Sequence, residues 1–158
     1  MEKMLITAVA KDDNVARISI IGVPDRPGTA FKVFSLLSSL KINVDIILQS
    51  VGREGTKDIT FTVATNDRKA AMDMLNENQS AIGFSDLVWD EDISKVSIVG
   101  AGMESNPGIA AKMFGALSDA NINIQMISTS EIKISVLIDK EFSRQAVNAI
   151  HDAFDENM

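Results

Sequence analysis

The sequence predicts an α+β fold of two βαββαβ sandwiches in tandem, with the N-terminal strand completing the second. Three observations lead there. The 158 residues, enough for one ordinary domain or two small ones, hold two diverged copies of one pattern. Within each copy the apolar spacing changes from that of a strand to that of a helix and back. The second copy ends one strand short, and an unmatched strand lies at the other end of the chain.

The copies are residues 18–50 and 96–138 with their flanks. ARISIIG (16–22) aligns with SKVSIVG (94–100) at an offset of 78. Upstream, TAVAKDDN (7–14) aligns with SDLVWDED (85–92), an apolar strand followed by an acidic turn in each case. After the glycine the second copy gains two residues. PGTAFKVFSLLS (27–38) then matches PGIAAKMFGALS (107–118), and KINVDII (41–47) matches NINIQMI (121–127), at an offset of 80. Such self-similarity is the first thing to seek in a chain.

Taken in order, Ile18, Ile20 and Gly22 open a strand of mostly β-branched residues. A proline-glycine turn follows, with Pro27 and Pro107 suited to a first helical turn, where a missing N–H costs nothing. Ala30, Val33, Phe34, Leu37 and Leu40 recur at helical spacing, and Ala110, Met113, Phe114, Leu117 and Ala120 repeat the stripe. A strand is expected to start at Ile42 and at Ile122. In the first copy GREGTKD (52–58) reads as a hairpin loop, and Ile59, Phe61 and Val63 alternate as in a strand buried on one face. The second copy turns faster, near Ser130 and Glu131, into IKISVLI. A second helix follows in each. Asn66 or Asp67 is expected to cap the first, with Ala70, Met74 and Leu75 inward. The other is expected over 141–154, with Phe142, Ala146, Ile150 and Phe154 inward.

A final strand turns βαββα into a ferredoxin-like βαββαβ sandwich. The first copy has its own at 85–90. After Phe154 the second copy has only DENM, so the strand at 5–10, the register-equivalent of 85–89, is expected to pair into the second domain. The expected domains are 17–93, and 94–158 plus 1–16.

Composition narrows the function. A formal charge of −7 disfavours nucleic acid and anionic membranes. No apolar run approaches a membrane span, and the N-terminus lacks a signal-peptide pattern, so a cytoplasmic location is expected. The absence of cysteine removes disulfides, thiolate metal sites and cysteine nucleophiles together, and with them a CxxC metal carrier. An RNA-binding module of the same topology needs aromatic residues on its central strands, where this chain carries Ile and Val. An acylphosphatase-like hydrolase needs an arginine in the first loop. Arg26 is there, but its second-copy counterpart is Glu104 and no complementary catalytic set accompanies it. His151 reads as a surface or packing residue, and Asp90, Glu91 and Asp92 as a solvated acidic turn. Met72, Met74 and Met113 read as core filler. The GAG at 100–102 lacks the rest of a dinucleotide fingerprint.

Tandem βαββαβ units with a Gly/Pro turn between first strand and first helix resemble ACT domains, the amino-acid-sensing modules of biosynthetic enzymes. GVPDRPGTAFKVF, INVDIILQS, KDITFTV, KVSIVGAGM, PGIAAKMF, INIQMISTSEIKISVLI and AVNAIHDAF resemble the regulatory half of aspartate kinase. The likeness covers essentially the whole chain, without an upstream kinase domain or its phosphate-gripping loop. It therefore resembles a separate β subunit or an equivalent regulatory piece with no catalytic site of its own. The resemblance implies a lysine and/or threonine effector and no other cofactor. It implies a homodimer that pairs ACT units between chains, and a catalytic α subunit or kinase domain as partner. A stand-alone amino-acid sensor is the alternative.

The stretch DRPGTA (25–30) has the chemistry for such a ligand. A strand ends, a glycine permits close approach, and a helix begins whose free N–H groups and dipole favour a carboxylate. Asp25 stands where an ammonium would need an anion, and Gln49 on the next strand offers a polar contact. Asp25 and Asn123 as simple turn caps is the other reading. By resemblance Asp25, Pro27, Gly28, Thr29, Ala30 and Gln49 form one effector site, with Asn123 and Ile124 the partner unit's share. The equivalent second site comprises Asn43, Val44, Met103, Ser105, Pro107, Gly108, Ile109, Ala110, Thr129, Ser130 and Glu131. In it Met103 stands for Asp25 and Thr129 for Gln49. Glu131 there has the charge to meet a lysine side chain, or it is a solvated residue of a tight hairpin.

Overall fold

The computed structural model describes residues 5–51, 54–101 and 106–155. The strands are β1 (Leu5–Asp12), β2 (Ala16–Pro24), β3 (Ile47–Val51), β4 (Thr56–Val63), β5 (Asp86–Asp90), β6 (Ile93–Ala101), β7 (Met126–Thr129) and β8 (Lys133–Asp139). The helices are α1 (Thr29–Ser39), α2 (Arg68–Glu77), a single turn α3 (Gln79–Ile82), α4 (Gly108–Asp119) and α5 (Ser143–Phe154). The strands form two four-stranded sheets, β3-β4-β2-β5 and β1-β6-β8-β7, and every pairing is antiparallel. The chain divides into a unit Asn14–Glu91 and a second unit in which everything before Asn14 joins everything from Asp92 on.

The N-terminal strand closes the second sandwich, as expected. β1 pairs with β6 from Leu5↔Ala101 to Asp12↔Lys95, as β5 pairs with β2 from Ile21↔Asp86 to Arg17↔Asp90. Ile6 lies in a core with Val96, Ile98, Met113, Leu117, Val136, Ile150 and Phe154. The other core gathers Ile18, Ile20, Val33, Leu37, Ile59, Phe61, Ala71 and Leu75. Each sheet also carries one cross-strand hydroxyl pair at the same register, Ser19–Thr60 at 2.9 Å and Ser97–Ser135 at 2.7 Å.

Several expectations need correction. The strands after α1 and α4 begin at Ile47 and Met126, not at Ile42 and Ile122. Those isoleucines finish the helices instead. Lys41 and Asn121 both take φ 59°, and the N–H groups of Ile42 and Ile122 return to the carbonyls of Leu37 and Leu117 at 3.1 and 2.9 Å. This is the left-handed helix end that satisfies otherwise orphaned carbonyls, with an apolar residue packed beneath it; both isoleucines are buried. Pro27 precedes α1 rather than entering it, because Gly28, at φ 94°, is the residue before the first helical position. Neither Asn66 nor Asp67 caps α2 with its side chain. A 3-10 turn, Thr65–Asp67, leads in, and Asn14 Oδ1 accepts from the Thr65 N–H at 2.9 Å. Ala71, not Ala70, faces the core, and α5 starts at Ser143 after the 3-10 turn Lys140–Phe142. Leu40 is exposed. Asp90 and Glu91 are paired rather than merely solvated, with Arg17 at 2.5 Å and Arg68 at 2.9 Å.

Asp13 ties the end of β1 to the start of α5. Lys11 Nζ reaches its carboxylate at 2.5 Å, and Ser94 Oγ donates to it at 2.6 Å. These two groups, with a smaller contribution from Ser143, hold its carboxyl below the usual value of 3.8. A depressed carboxyl pKa stabilises the fold above the unfolded-state value and loses that contribution as pH falls through the folded one. The second unit is therefore expected to weaken below about pH 4. Asp13→Asn should cost about 0.5–1 kcal/mol at neutral pH, since the pair is partly exposed, and flatten the acid limb. Urea melts between pH 3 and 7 check this; an unchanged acid limb counts against the assignment.

Candidate functional site

Asp25, Pro27, Gly28, Thr29, Ala30 and Gln49 meet at one place. β2 arrives at it through a bulge, where the β2–β4 register shifts between Ile20 and Val23. Gly22, at φ 72°, makes the bulge possible: a Cβ there would lie 2.5 Å from Ser85 Oγ, and its N–H donates to Asp58 Oδ1 at 3.0 Å. The strand then bends so that the Asp25 N–H meets the Gly55 carbonyl at 2.9 Å. The first α-helical bond of α1 runs from the Lys32 N–H to the Gly28 carbonyl at 3.0 Å. The amides of Ala30 and Phe31 precede it and so have no acceptor within the helix.

These elements enclose a recess of about 190 Å³. Asp25, Pro27, Gly28, Thr29, Ala30 and Gln49 all line it, together with Arg26, Lys57 and Ile59. Ile59 is buried and forms an apolar floor; Gln49 stands opposite it across the β3–β4 ladder. The volume falls below the roughly 300–1,000 Å³ of a drug-sized pocket, which suits a small ligand. The recess thus brings together one carboxylate, the start of a helix, a carboxamide and an apolar base, groups that suit a small zwitterion.

Lys57 was not among the residues expected from the sequence. Its ammonium lies 2.9 Å from Asp25 Oδ1, with the two side chains 37% and 46% exposed. A signal for it existed. Lys57 shares parity with Ile59, Phe61 and Val63, so it begins the inward face of β4.

The remaining expected residues fall in different places. Asn123 and Ile124 belong to the second unit, in a shallow recess of about 370 Å³ with Phe114, Ser118, Asn121 and Ile122. Asn43 is exposed and Val44 half-buried against the first core. Pro107 and Gly108 are exposed at the start of α4, Ile109 packs into the second core, and Ala110 lies against it. Only the backbone of Ile109 is left to meet a ligand. Thr129, Ser130 and Glu131 are exposed at the β7–β8 turn, which the Ser130 N–H closes on the Lys133 carbonyl at 2.8 Å. Met103 and Ser105 lie outside the described residues.

Comparison with known proteins agrees with this architecture. ACT-domain family profiles match residues 16–77 and 96–154. An aspartokinase of Pseudomonas aeruginosa is 46% identical over 155 residues, covering 98% of this chain and 38% of its own length. One from Corynebacterium efficiens is 43% identical, again over 98% of this chain and 37% of its own length. The chain thus spans well under half of these relatives. Among solved structures, the regulatory subunit of aspartate kinase from Thermus thermophilus is 42% identical with a TM-score of 0.88. The match covers 94% of this chain and 98% of that one. A structure of aspartokinase alpha and beta subunits contains a chain 45% identical with a TM-score of 0.87, covering 95% of this chain and 99% of that one. Two ACT profiles, and whole-length likeness in sequence and fold to regulatory chains, lead to one conclusion: this chain belongs to the tandem ACT-domain regulatory family of aspartate kinases.

Proposed function

We propose that this chain is the allosteric regulatory subunit of an aspartate kinase. It binds threonine and/or lysine at ACT–ACT interfaces and thereby brings feedback inhibition to the synthesis of aspartate-derived amino acids. The observation that carries this reading is the recess of Asp25, Gly28, Ala30 and Gln49, which offers an anion and a helix start to a small zwitterion. Asp25 takes the effector ammonium, the amides at the start of α1 take its carboxylate, and Gln49 meets its polar side chain. Asn123 and Ile124 of a partner protomer complete the site.

A homodimer follows from the same reading. β3 is an edge strand exposed along its whole length, with Ile47 and Leu48 at 48% and 41% and Val51 at 96% exposure. An edge this apolar invites pairing with another chain. An effector held between protomers contacts both in one arrangement only. It therefore binds that arrangement more tightly, the condition for shifting a quaternary equilibrium and, through it, a catalytic partner.

Calorimetric titration of the chain with threonine and with lysine tests the reading; no heat and no thermal shift with any amino acid would sink it. Asp25→Ala is expected to weaken binding about ten- to thirty-fold, the scale of a lost charge-assisted hydrogen bond. Unchanged affinity would move the site elsewhere.

A further inference from the structure

Asp25 is already engaged. Its Oδ1 meets the Lys57 ammonium at 2.9 Å, and both residues line the same recess. An amino-acid ligand brings an ammonium of its own to that carboxylate, and two cations crowded on one carboxylate repel each other. The second copy differs from the first at both positions. Matching the sheets by their hydroxyl pairs, Ser19–Thr60 and Ser97–Ser135, places Ile132 where Lys57 stands. The repeat register places Met103 where Asp25 stands. At the aligned positions that copy has neither the aspartate nor the lysine, although Glu104 follows Met103.

We propose that Lys57 is the resident counter-ion of the Asp25 recess, which an entering amino acid must displace, and that it filters ligands by charge. The proposal rests on the recess being an amino-acid site and adds the residue that sets its affinity and selectivity. In the empty recess Lys57 neutralises Asp25. When a ligand ammonium takes the carboxylate, the Lys57 ammonium is freed but remains anchored to β4 at the recess wall. A neutral side chain tolerates that neighbour, whereas a side chain ending in a second ammonium is repelled. Lys57 thus lowers affinity for amino acids in general and for diamino acids most. Partial exposure keeps the effect modest.

The test is calorimetric titration of the full chain, as wild type, Lys57→Met and Lys57→Arg, with L-threonine and L-lysine. Lys57→Met is expected to tighten threonine binding about two- to five-fold and lysine binding by more, so that the ratio between them narrows. Lys57→Arg keeps the wild-type ratio. In an Asp25→Ala background the tightening by Lys57→Met disappears. Weaker threonine binding by Lys57→Met makes Lys57 a ligand contact and overturns the proposal. Wild-type binding that Lys57→Met leaves unaltered overturns the counter-ion role alone. Silence of wild type and Lys57→Met toward every amino acid overturns the site reading and this proposal together.

Discussion

Deletion of residues 1–13 is expected to unfold the unit that begins at Asp92 while the Asn14–Glu91 unit stays folded. β1 is the partner of most of one side of β6, from Leu5↔Ala101 to Asp12↔Lys95. Without it, β6 becomes a nine-residue edge strand, and the apolar face beneath loses Ile6, which is 1% exposed. Truncating a buried isoleucine alone costs about 2–5 kcal/mol, a large part of the roughly 5–15 kcal/mol that holds a domain folded. The deletion also removes the ladder bonds and the Asp13–Ser94 contact. Amide hydrogen exchange makes the prediction specific: β6 and β8 lose protection, and β2 and β4 keep it. A peptide spanning residues 5–13 restores protection in trans. Full protection of β6 in the truncated chain would show that β1 is dispensable.

That strand was legible because the repeat exposed it. An apolar run followed by an acidic turn occurs at 7–14 and 85–92, each a fixed 78 residues from its counterpart, and a sandwich short of one strand had a single candidate to fill it. The sequence was less informative wherever one residue type serves two structures. Ile42 and Ile122 are β-branched and follow a helix, so they read as the start of a strand, but each packs under a left-handed helix end. Nothing local distinguishes these roles, because both want a buried apolar residue. Partners distant in the chain were hidden as well. Asp90 looked solvated, yet Arg17 lies directly across from it on β2. The carboxylate side of the recess was legible, since Asp25, Gly28 and Ala30 are contiguous with the start of a helix. Its cation was not, because Lys57 arrives from β4, 32 residues later, and only strand parity hinted that it faces inward.

Phe61→Ala is expected to destabilise the Asn14–Glu91 unit by about 3–5 kcal/mol, whereas Phe31→Ala changes stability by no more than about 0.5 kcal/mol. Both are phenylalanines of the same unit, so hydrophobicity alone does not separate them. Phe61 is fully buried on the inner face of β4, and Phe31 is 78% exposed on α1. Phe61 also meets Phe34 edge-to-face, with ring centroids 5.7 Å apart and planes at 73°, a geometry worth a further fraction of a kcal/mol beyond burial. For a domain of this size the loss at Phe61 lowers the melting midpoint by more than about 10 °C. It also reaches the recess, because β4 carries Lys57 and Ile59 from the same inner face. Effector binding by Phe61→Ala should therefore fall with the folded fraction on warming and return on cooling. In Phe31→Ala it should follow the wild-type temperature course. Equal melting midpoints for the two variants would mean that the Phe34–Phe61 contact does not organise this core, and that β4 is held in place by its ladder bonds to β2 and β3 alone.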